Sequence, residues 1–449
     1  MIGNTNLIKD IEEFEHDFSN LMQKLIRNIK RQEKIMARAD KIQKQEYDEL
    51  QNKLRQVEEL EEAQKELLES FIKILAYAID AKSAYTGGHC ERVPEIAIPL
   101  AQKASDDPKI DFKIRNEEEK REIEIAAWLH DCGKIVTPEY VVDKATKLET
   151  IYNRIHEVRT RFEVIHRDLT IEALERKLAG EDPEKVDEWL KKEHQKLQEE
   201  YEFVANANVG TEFMTKEDQD RIKEIAKREW IRNFDKTLGL SRAELKRIKK
   251  DDNLPAKEYL LADKEEHIVP RVRIKKEIEE FKKYGFKIDI PENLYNYGEI
   301  YNLIIPKGTL TPEEYYKIQE HVIMTIKMLE QLSFPEELKN VPLYAGTHHE
   351  KLDGTGYPRK LKAKDLPVPA RIMAIADIFE ALTASDRPYK APKKVSEAIH
   401  ILSEMAKAGH IDKDLFKLFL KSGVYLDYAK SNLQPFQLDE LDLDYYLNI

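Results

Sequence analysis

The sequence predicts an all-α protein, and three observations carry that expectation. Of 449 residues, 41 % are hydrophobic and 36 % are charged, a balance that favours long solvated helices over sandwiches of short strands. Only 15 Gly and 18 Pro are present, too few for an architecture of many tight turns. From Leu7 the apolar residues recur at Ile11, Phe14, Phe18, Leu21 and Leu25, in alternating steps of four and three that form the seam of a coiled coil. At about 150 residues per domain the chain has room for two or three domains.

Residues 1–70 are expected to form a long coiled-coil helix. The seam falters near Asn28 and Gln32 and resumes at Leu50, Leu54, Val57, Leu60, Leu67, Phe71 and Ile74, with no Pro or Gly between Gly3 and Gly87 to stop a helix. A stalk that pairs two chains into a homodimer satisfies this pattern; so does an antiparallel hairpin packed on its own domain. Residues 71–150 read as compact and globular. Residues 151–300 are charge-dense and broken by Gly180, Pro183, Gly210, Pro255, Pro270 and Pro291, with helical stretches such as EDPEKVDEWLKKEHQKLQEEYEF. Residues 301–430 are compact again, and the acidic tail 431–449 reads as a surface strap or a disordered end. A local echo, KATKLET at 144–150 and PKGTLTPEE at 306–314, sets a short basic turn before a Thr-capped helix start. In the second copy Thr311 is the expected N-cap, Pro312 the first helical residue and Glu314 the partner in a capping box. The stretch between the echoes is therefore read as an insertion into one helical domain.

Charge and cysteine content exclude several classes. Lys plus Arg against Asp plus Glu is 74 − 86 = −12, the wrong sign for wrapping duplex nucleic acid on a general basic face. An anionic ligand then needs a local cluster of positive charge. Cys90 and Cys132 are the only cysteines, too few for a disulfide framework or a thiolate zinc site, so a reducing compartment is expected. The start MIGNTNLIKDIEEF lacks a basic segment and an apolar run, and no stretch of about 18 apolar residues occurs. A soluble, cytoplasmic protein without membrane insertion is the expectation.

Five of the twelve histidines sit in unusual company. His130 and Asp131 end the apolar stretch IEIAAWLHD, which Gly133 is expected to terminate. His348-His349-Glu350 is followed by the turn-rich Asp353-Gly354-Thr355-Gly356-Tyr357-Pro358. Asp377 lies inside the apolar ARIMAIADIFEAL, His89 follows a Gly87-Gly88 turn, and His321 lies in the capped helix. A carboxylate in such surroundings must be paired, protonated or bound to metal. Five imidazoles and two carboxylates without cysteine suit iron, manganese or a similar divalent ion better than structural zinc. Seven ligands suffice for two metals bridged by one carboxylate, an arrangement that generates hydroxide from water and neutralises a phosphodiester under in-line attack.

His130-Asp131-Cys132-Gly133-Lys134 resembles the HD-x-GK motif of the HD phosphohydrolase superfamily, and HHEKLDGTGYP at 348–358 is similar to the motif that defines its HD-GYP branch. AYTGGHCERV (84–93), LTPEEYYKIQEH (310–321) and ARIMAIADIFEALTASDRPYK (370–390) resemble further segments of that branch in the same order. The resemblance covers about 71–150 and 301–430. It implies an HD-type helical bundle that hydrolyses cyclic di-GMP to linear pGpG, with a further step to GMP left open, by a bridging hydroxide on two metals, usually iron. By position it implies that His89, His130, Asp131 and Asp377 hold one metal and His321, His348 and His349 the other, with Asp131 bridging. Lys134 would reach the scissile phosphate, Arg387 and Lys390 the second phosphate, and Gly356-Tyr357-Pro358 would form the mouth of the site.

Two departures qualify the resemblance. Some members bind a third metal through a carboxylate one turn before the first His, where this chain has Tyr85, so two metals are expected. The gap between Asp131 and His321 is far longer than in most members, and its own His156, His166, His194 and His267 are read as structural or solvated. A catalytically idle sensor of the nucleotide, or a module that binds a diguanylate cyclase or adaptor, is the competing function; the filled ligand positions favour an enzyme.

Overall fold

The computed structural model describes residues 3–82, 88–210, 213–249, 253–385 and 392–448. The chain divides into two units, Met1–Phe71 and Ile72–Ile449. The described residues of the first are helical: one helix runs Gly3–Asp80 without a break, so the segment does not turn back into a hairpin. Its apolar seam is open to solvent, with Phe14 70 % and Leu67 71 % exposed.

The last turns of that helix belong to the second unit, where Ile72, Ala76 and Ile79 are buried. At the centre of this unit lies the Val368–Thr383 helix, apolar on nearly every face and buried along most of its length, as a helix without a polar stripe must be. It packs on His89–Asp106 and Val395–Lys407, and His89–Asp106 packs in turn on Glu117–Leu129. Glu117–Leu129 starts at Asn116, whose side chain accepts from the Glu119 amide, and carries three glutamates in its first turn, which suits the positive end of the helix dipole. The Pro312–Leu329 helix opens with the expected capping box between Thr311 and Glu314. The first copy of the echo behaves differently: no helix starts at Thr146 or Thr150, and the next long helix begins at Ile155. Glu149 instead accepts from the amides of Ala145 and Thr146 and closes a turn that buries Lys147 and Leu148.

The stretch 151–300 holds a helical hairpin, Ile155–Leu178 and Pro183–Val209, then Lys216–Ala226 and Ile274–Tyr284. The four short strands among the described residues also lie here, as the antiparallel pairs Glu229–Arg232 with Ala256–Tyr259 and Ile268–Pro270 with Asn293–Asn296. The rest of the fold is all-α. This stretch shares a core with its flanks, because Leu148 and Leu303 are buried with Phe162, Leu197 and Ile222. Lys147, 1 % exposed, donates to the carbonyls of Leu303 (2.9 Å) and Ile305 (2.8 Å). Lys144 donates to both oxygens of buried Glu314 and to Asn302 Oδ1. The tail is a strap at its middle: Gln437 is fully buried and donates to the carbonyls of Thr383 and Lys393, and Asp439 accepts from Ser396 through both amide and hydroxyl.

Candidate metal centre

Four chain segments meet at Asp131. The Glu117–Leu129 helix ends at His130, and the short 3-10 turn Cys132–Val136 follows Asp131. This turn lies directly on the Pro312–Leu329 helix. A Cβ at Gly133 would fall 1.8 Å from the His321 carbonyl oxygen and 2.5 Å from the Thr325 amide, so glycine is there for close approach, rather than as the helix terminator expected from the sequence. Thr325 closes the contact by accepting from Gly133 N–H (2.9 Å) and donating to the His130 carbonyl (3.0 Å).

His89, His130, Asp131, His321, His348 and Asp377 are all buried, and His349 is partly so. Asp131 Oδ2 lies 3.1 Å from His89 Nε2 and 3.3 Å from His130 Nε2. Its other oxygen, Oδ1, lies 3.3 Å from His321 Nε2 and 3.8 Å from His348 Nε2. Asp377 Oδ1 joins the first side, 3.3 Å from His89 Nε2 and 3.8 Å from His130 Nε2. One ligand atom from each of His89, His130 and Asp131 lies within 4.8 Å of the others, and the same holds for His321, His348 and His349. The His348 and His349 rings are 4.3 Å apart and the His321 and His349 rings 5.1 Å.

The outer shell decides which ring nitrogen faces the centre. His130 Nδ1 is 2.7 Å from the Ala127 carbonyl, His348 Nδ1 is 2.7 Å from the Ala345 carbonyl, and His321 Nδ1 meets the Ile318 carbonyl. A carbonyl only accepts, so each Nδ1 carries the proton and each Nε2 presents a lone pair inward. His89 is held differently, by Glu380 against its Nδ1, and Arg92 grips the same carboxylate through Nε (2.7 Å) and Nη2 (2.6 Å). His321 Nε2 and His348 Nε2 are buried without a hydrogen-bond partner, and orphaned polar atoms in such a site need an explanation. A divalent cation supplies one: the donors are neutral imidazole nitrogens and carboxylate oxygens, and their partners on the outer side are satisfied.

The electrostatics divide the centre. Burial alone would depress His130, but without a cation Asp131 and Asp377 outweigh it and raise it to about 9, so its Nε2 then holds a proton that a bound cation would displace. Burial, with His321 alongside, pushes His349 down to about 3. Burial would raise Asp131, yet Lys134 and His130 hold it well below the usual carboxylate range. One side is rich in negative charge and the other is made of neutral imidazoles.

Lys134 sets its ammonium against Asp131 Oδ2, and Lys82 fixes the turn that carries it by donating to the carbonyls of Lys134 (3.1 Å) and Thr137 (2.7 Å). Gly356 has no room for a side chain, since a Cβ would stand 2.3 Å from the Lys351 amide nitrogen. Tyr357 lays its ring on His349, with centroids 4.9 Å apart and planes at 24°, and donates its amide to the His349 carbonyl. The Tyr357–Pro358 bond is cis. Glu350, buried, accepts from the amides of Arg359 (2.6 Å) and Leu361 (2.8 Å) and so folds this loop back on the histidine pair. Arg387, Lys390 and Tyr85 lie outside the described residues. Sequence reading gave no role to Glu380, Arg92 or Lys82 and named Glu350 only beside the histidine pair; for Glu380 the available signal was its place three residues after Asp377 on the same apolar helix, one turn along the same face. Of the other histidines, His166 and His194 stack on each other at 3.6 Å.

Two stretches match models described as HD domain, residues 86–233 and 256–415. Curated relatives include a 3′3′-cGAMP-specific phosphodiesterase 1 of Vibrio cholerae, 33 % identical over 31 % of this chain and 34 % of its own length. A cyclic di-GMP phosphodiesterase of Thermotoga maritima is 35 % identical over 27 % of this chain and 30 % of its own length. One of Pseudomonas aeruginosa is 43 % identical over 17 % and 18 % respectively. The chain thus spans about a third or less of the length of these relatives. The first matched stretch contributes His89, His130 and Asp131 and the second His321, His348, His349 and Asp377, all to one centre, and the chain belongs to the HD-domain family.

Proposed function

We propose that this chain is a phosphodiesterase of the HD-GYP branch that opens cyclic di-GMP to linear pGpG, the same site being able to carry the product on to GMP. The observation that supports this reading best is Asp131, which turns one oxygen to His89 and His130 and the other to His321 and His348, as a carboxylate shared by two cations would. Such a pair, when bound, supplies a nucleophile from water and positive charge for the phosphodiester; iron is our assignment, with manganese or another first-row ion accepted by the same donors. His89, His130, Asp131 and Asp377 hold one ion and His321, His348 and His349 the other. Lys134, already beside Asp131, turns its ammonium to a non-bridging phosphate oxygen. Arg387 and Lys390 take the second phosphate, and Gly356-Tyr357-Pro358 border the substrate.

Elemental analysis of protein isolated without oxygen should find about two ions per chain, and turnover of cyclic di-GMP should depend on them. Asp131→Ala should lose both. A folded wild-type chain that binds metal but cleaves no cyclic dinucleotide would instead favour the idle sensor, and an Asp131→Ala variant with full activity would remove Asp131 from the site. The relative named for 3′3′-cGAMP makes that dinucleotide the second substrate to assay.

We further propose a homodimer through the N-terminal helix and a cytoplasmic location. Cys90 and Cys132 are free and buried, as a reducing compartment allows, and no helix among the described residues is long and apolar enough to cross a membrane. A diguanylate cyclase or adaptor is the class of protein partner that the stalk would report on.

A further inference from the structure

We propose that the last part of the 151–300 stretch, residues 271–287, is a positioning element for the loop Gly354–Leu361 and, through Tyr357, for the His321/His348/His349 half of the centre. Its helix, Ile274–Tyr284, ends at Gly285 in a left-handed conformation (φ 72°), which swings Phe286 back against Phe281. Those two rings are buried in one cluster with Tyr316, Val322, Ile323 and Ile326 of the Pro312–Leu329 helix, and Tyr357 packs against the same cluster. The loop is then tied at three points. The Lys287 amide donates to the Pro358 carbonyl at 2.7 Å. Arg359 Nε donates to the Tyr284 carbonyl at 3.1 Å while its guanidinium lies 5.6 Å from the Phe286 ring centroid. The other end of that guanidinium meets Glu330, at the close of the His321 helix, at 2.8 Å.

Beneath it, Arg271 is fixed over the Tyr316 ring at 4.7 Å. Its Nη1 bonds Glu277 at 3.0 Å and its Nε donates to the Pro291 carbonyl, which locks the element to the helix that carries His321. The contacts to the loop fall on Pro358 and Arg359, the two residues that follow Tyr357, whose ring and amide lie on His349. By contrast, His89, His130 and Asp377 are held by Glu380 and the helices at the other side. The coupling is therefore to one half of the centre only. Ligand rings held by packing and hydrogen bonds bind metal more tightly than rings that must first be ordered.

This inference rests on the two-ion reading of the centre, so one arm of its test is run without metal. Hydrogen exchange of the metal-free full chain is compared for wild type, Phe286→Ala, Phe286→Leu, Arg359→Gln and Leu197→Ala, the last placed in the core of the helical hairpin of the same stretch. Phe286→Ala and Arg359→Gln should speed exchange over 353–361 by about tenfold and leave 117–131 unchanged. Phe286→Leu should restore most of the protection, and Leu197→Ala should leave the loop as in wild type. In metal titrations the same two variants should weaken one of two binding events by about tenfold and spare the other. Unchanged loop exchange in both would overturn the proposal, as would an equal acceleration by Leu197→Ala. Should Phe286→Ala fail to fold, Arg359→Gln, at a side chain 21 % exposed, decides the question; a chain that binds a single ion would sink the two-ion reading while the exchange arm still decides the role of 271–287.

Discussion

Lys147 shows what a single buried side chain does to the energetics of this fold. Its ammonium has carbonyls and the Met214 sulfur for partners and no carboxylate among them, so burial lowers it to about 8 from an ordinary value of 10.5. Below pH 8 both folded and unfolded chains carry the proton, and the folded state bears the full desolvation cost. Between about 8 and 10.5 the unfolded chain keeps a proton that the folded chain has lost, so stability contributed by this site rises with pH across that window. The whole effect is at most about 3–4 kcal/mol at ~1.4 kcal/mol per unit. Urea titrations at several pH values from 7 to 10.5 should show wild type gaining up to that much stability relative to Lys147→Met across the range, and parallel stability–pH curves would refute the assignment. Gly133 makes the opposite point: it has no chemistry, yet Gly133→Ala must push the Cys132–Val136 turn off the His321 helix and should cost about 2–3 kcal/mol, together with the second metal. A variant of wild-type stability would mean that the turn has room to move.

At the scale of elements, what the sequence made legible is what local rules govern. The capping box at Thr311 forms because all of its partners lie within four residues, and the proposed ligand pairs His130-Asp131 and His348-His349 stand out because polar residues interrupt apolar runs. The partner of a ligand in three dimensions is not written locally. Glu380 reads as one more glutamate until the Val368–Thr383 helix crosses His89–Asp106 and brings it to His89. KATKLET has the same look as its echo but lies where Lys147 and Leu148 are drawn into the core, so tertiary burial overrides a helix start. The C-terminal strap was only half legible, and Gln437 accounts for the rest by bonding backbone at Thr383 and Lys393, on either side of the segment that holds Arg387 and Lys390. Cyclic di-GMP, the proposed substrate, carries two phosphates, and the proposed metal pair would face only one, so the other would need its own cation on a chain of net charge −12. A charge-assisted contact is worth about 1.5–3 kcal/mol. Arg387→Ala should therefore lower kcat/KM for cyclic di-GMP roughly tenfold to a hundredfold and leave bis-p-nitrophenyl phosphate, with one phosphate, nearly untouched. Equal losses on both substrates would assign Arg387 to the fold instead.

Among the described residues, the long helix leaves its apolar seam in solvent up to Phe71, whereas the unit from Ile72 onward has a buried core of its own. Residues 7–71 expose leucine, isoleucine and phenylalanine along the length of the helix, and an isolated helix of that kind gains nothing from its apolar stripe. Two copies laid seam to seam, as proposed, would bury it, with Asn28 and Gln32 as polar interruptions of the kind that fix register at some cost in stability. The boundary for a test follows from burial rather than from the heptads. Ile72, Ala76 and Ile79 are buried in the second unit, and Asp80 accepts from the Cys90 amide at 3.1 Å, next to the ligand His89. A cut after Ser70 removes the seam and spares these contacts, whereas a cut after Ala78 takes two of the three apolar side chains away and loosens the residue that anchors the start of the His89 helix. Sedimentation should find the 71–449 chain monomeric, and metal analysis should find its ions retained, because every proposed ligand lies after the cut. A shorter chain, 79–449, should lose metal first on the His89 side. If 71–449 stays dimeric, the pairing surface lies in the globular unit, and the stalk serves something other than self-association.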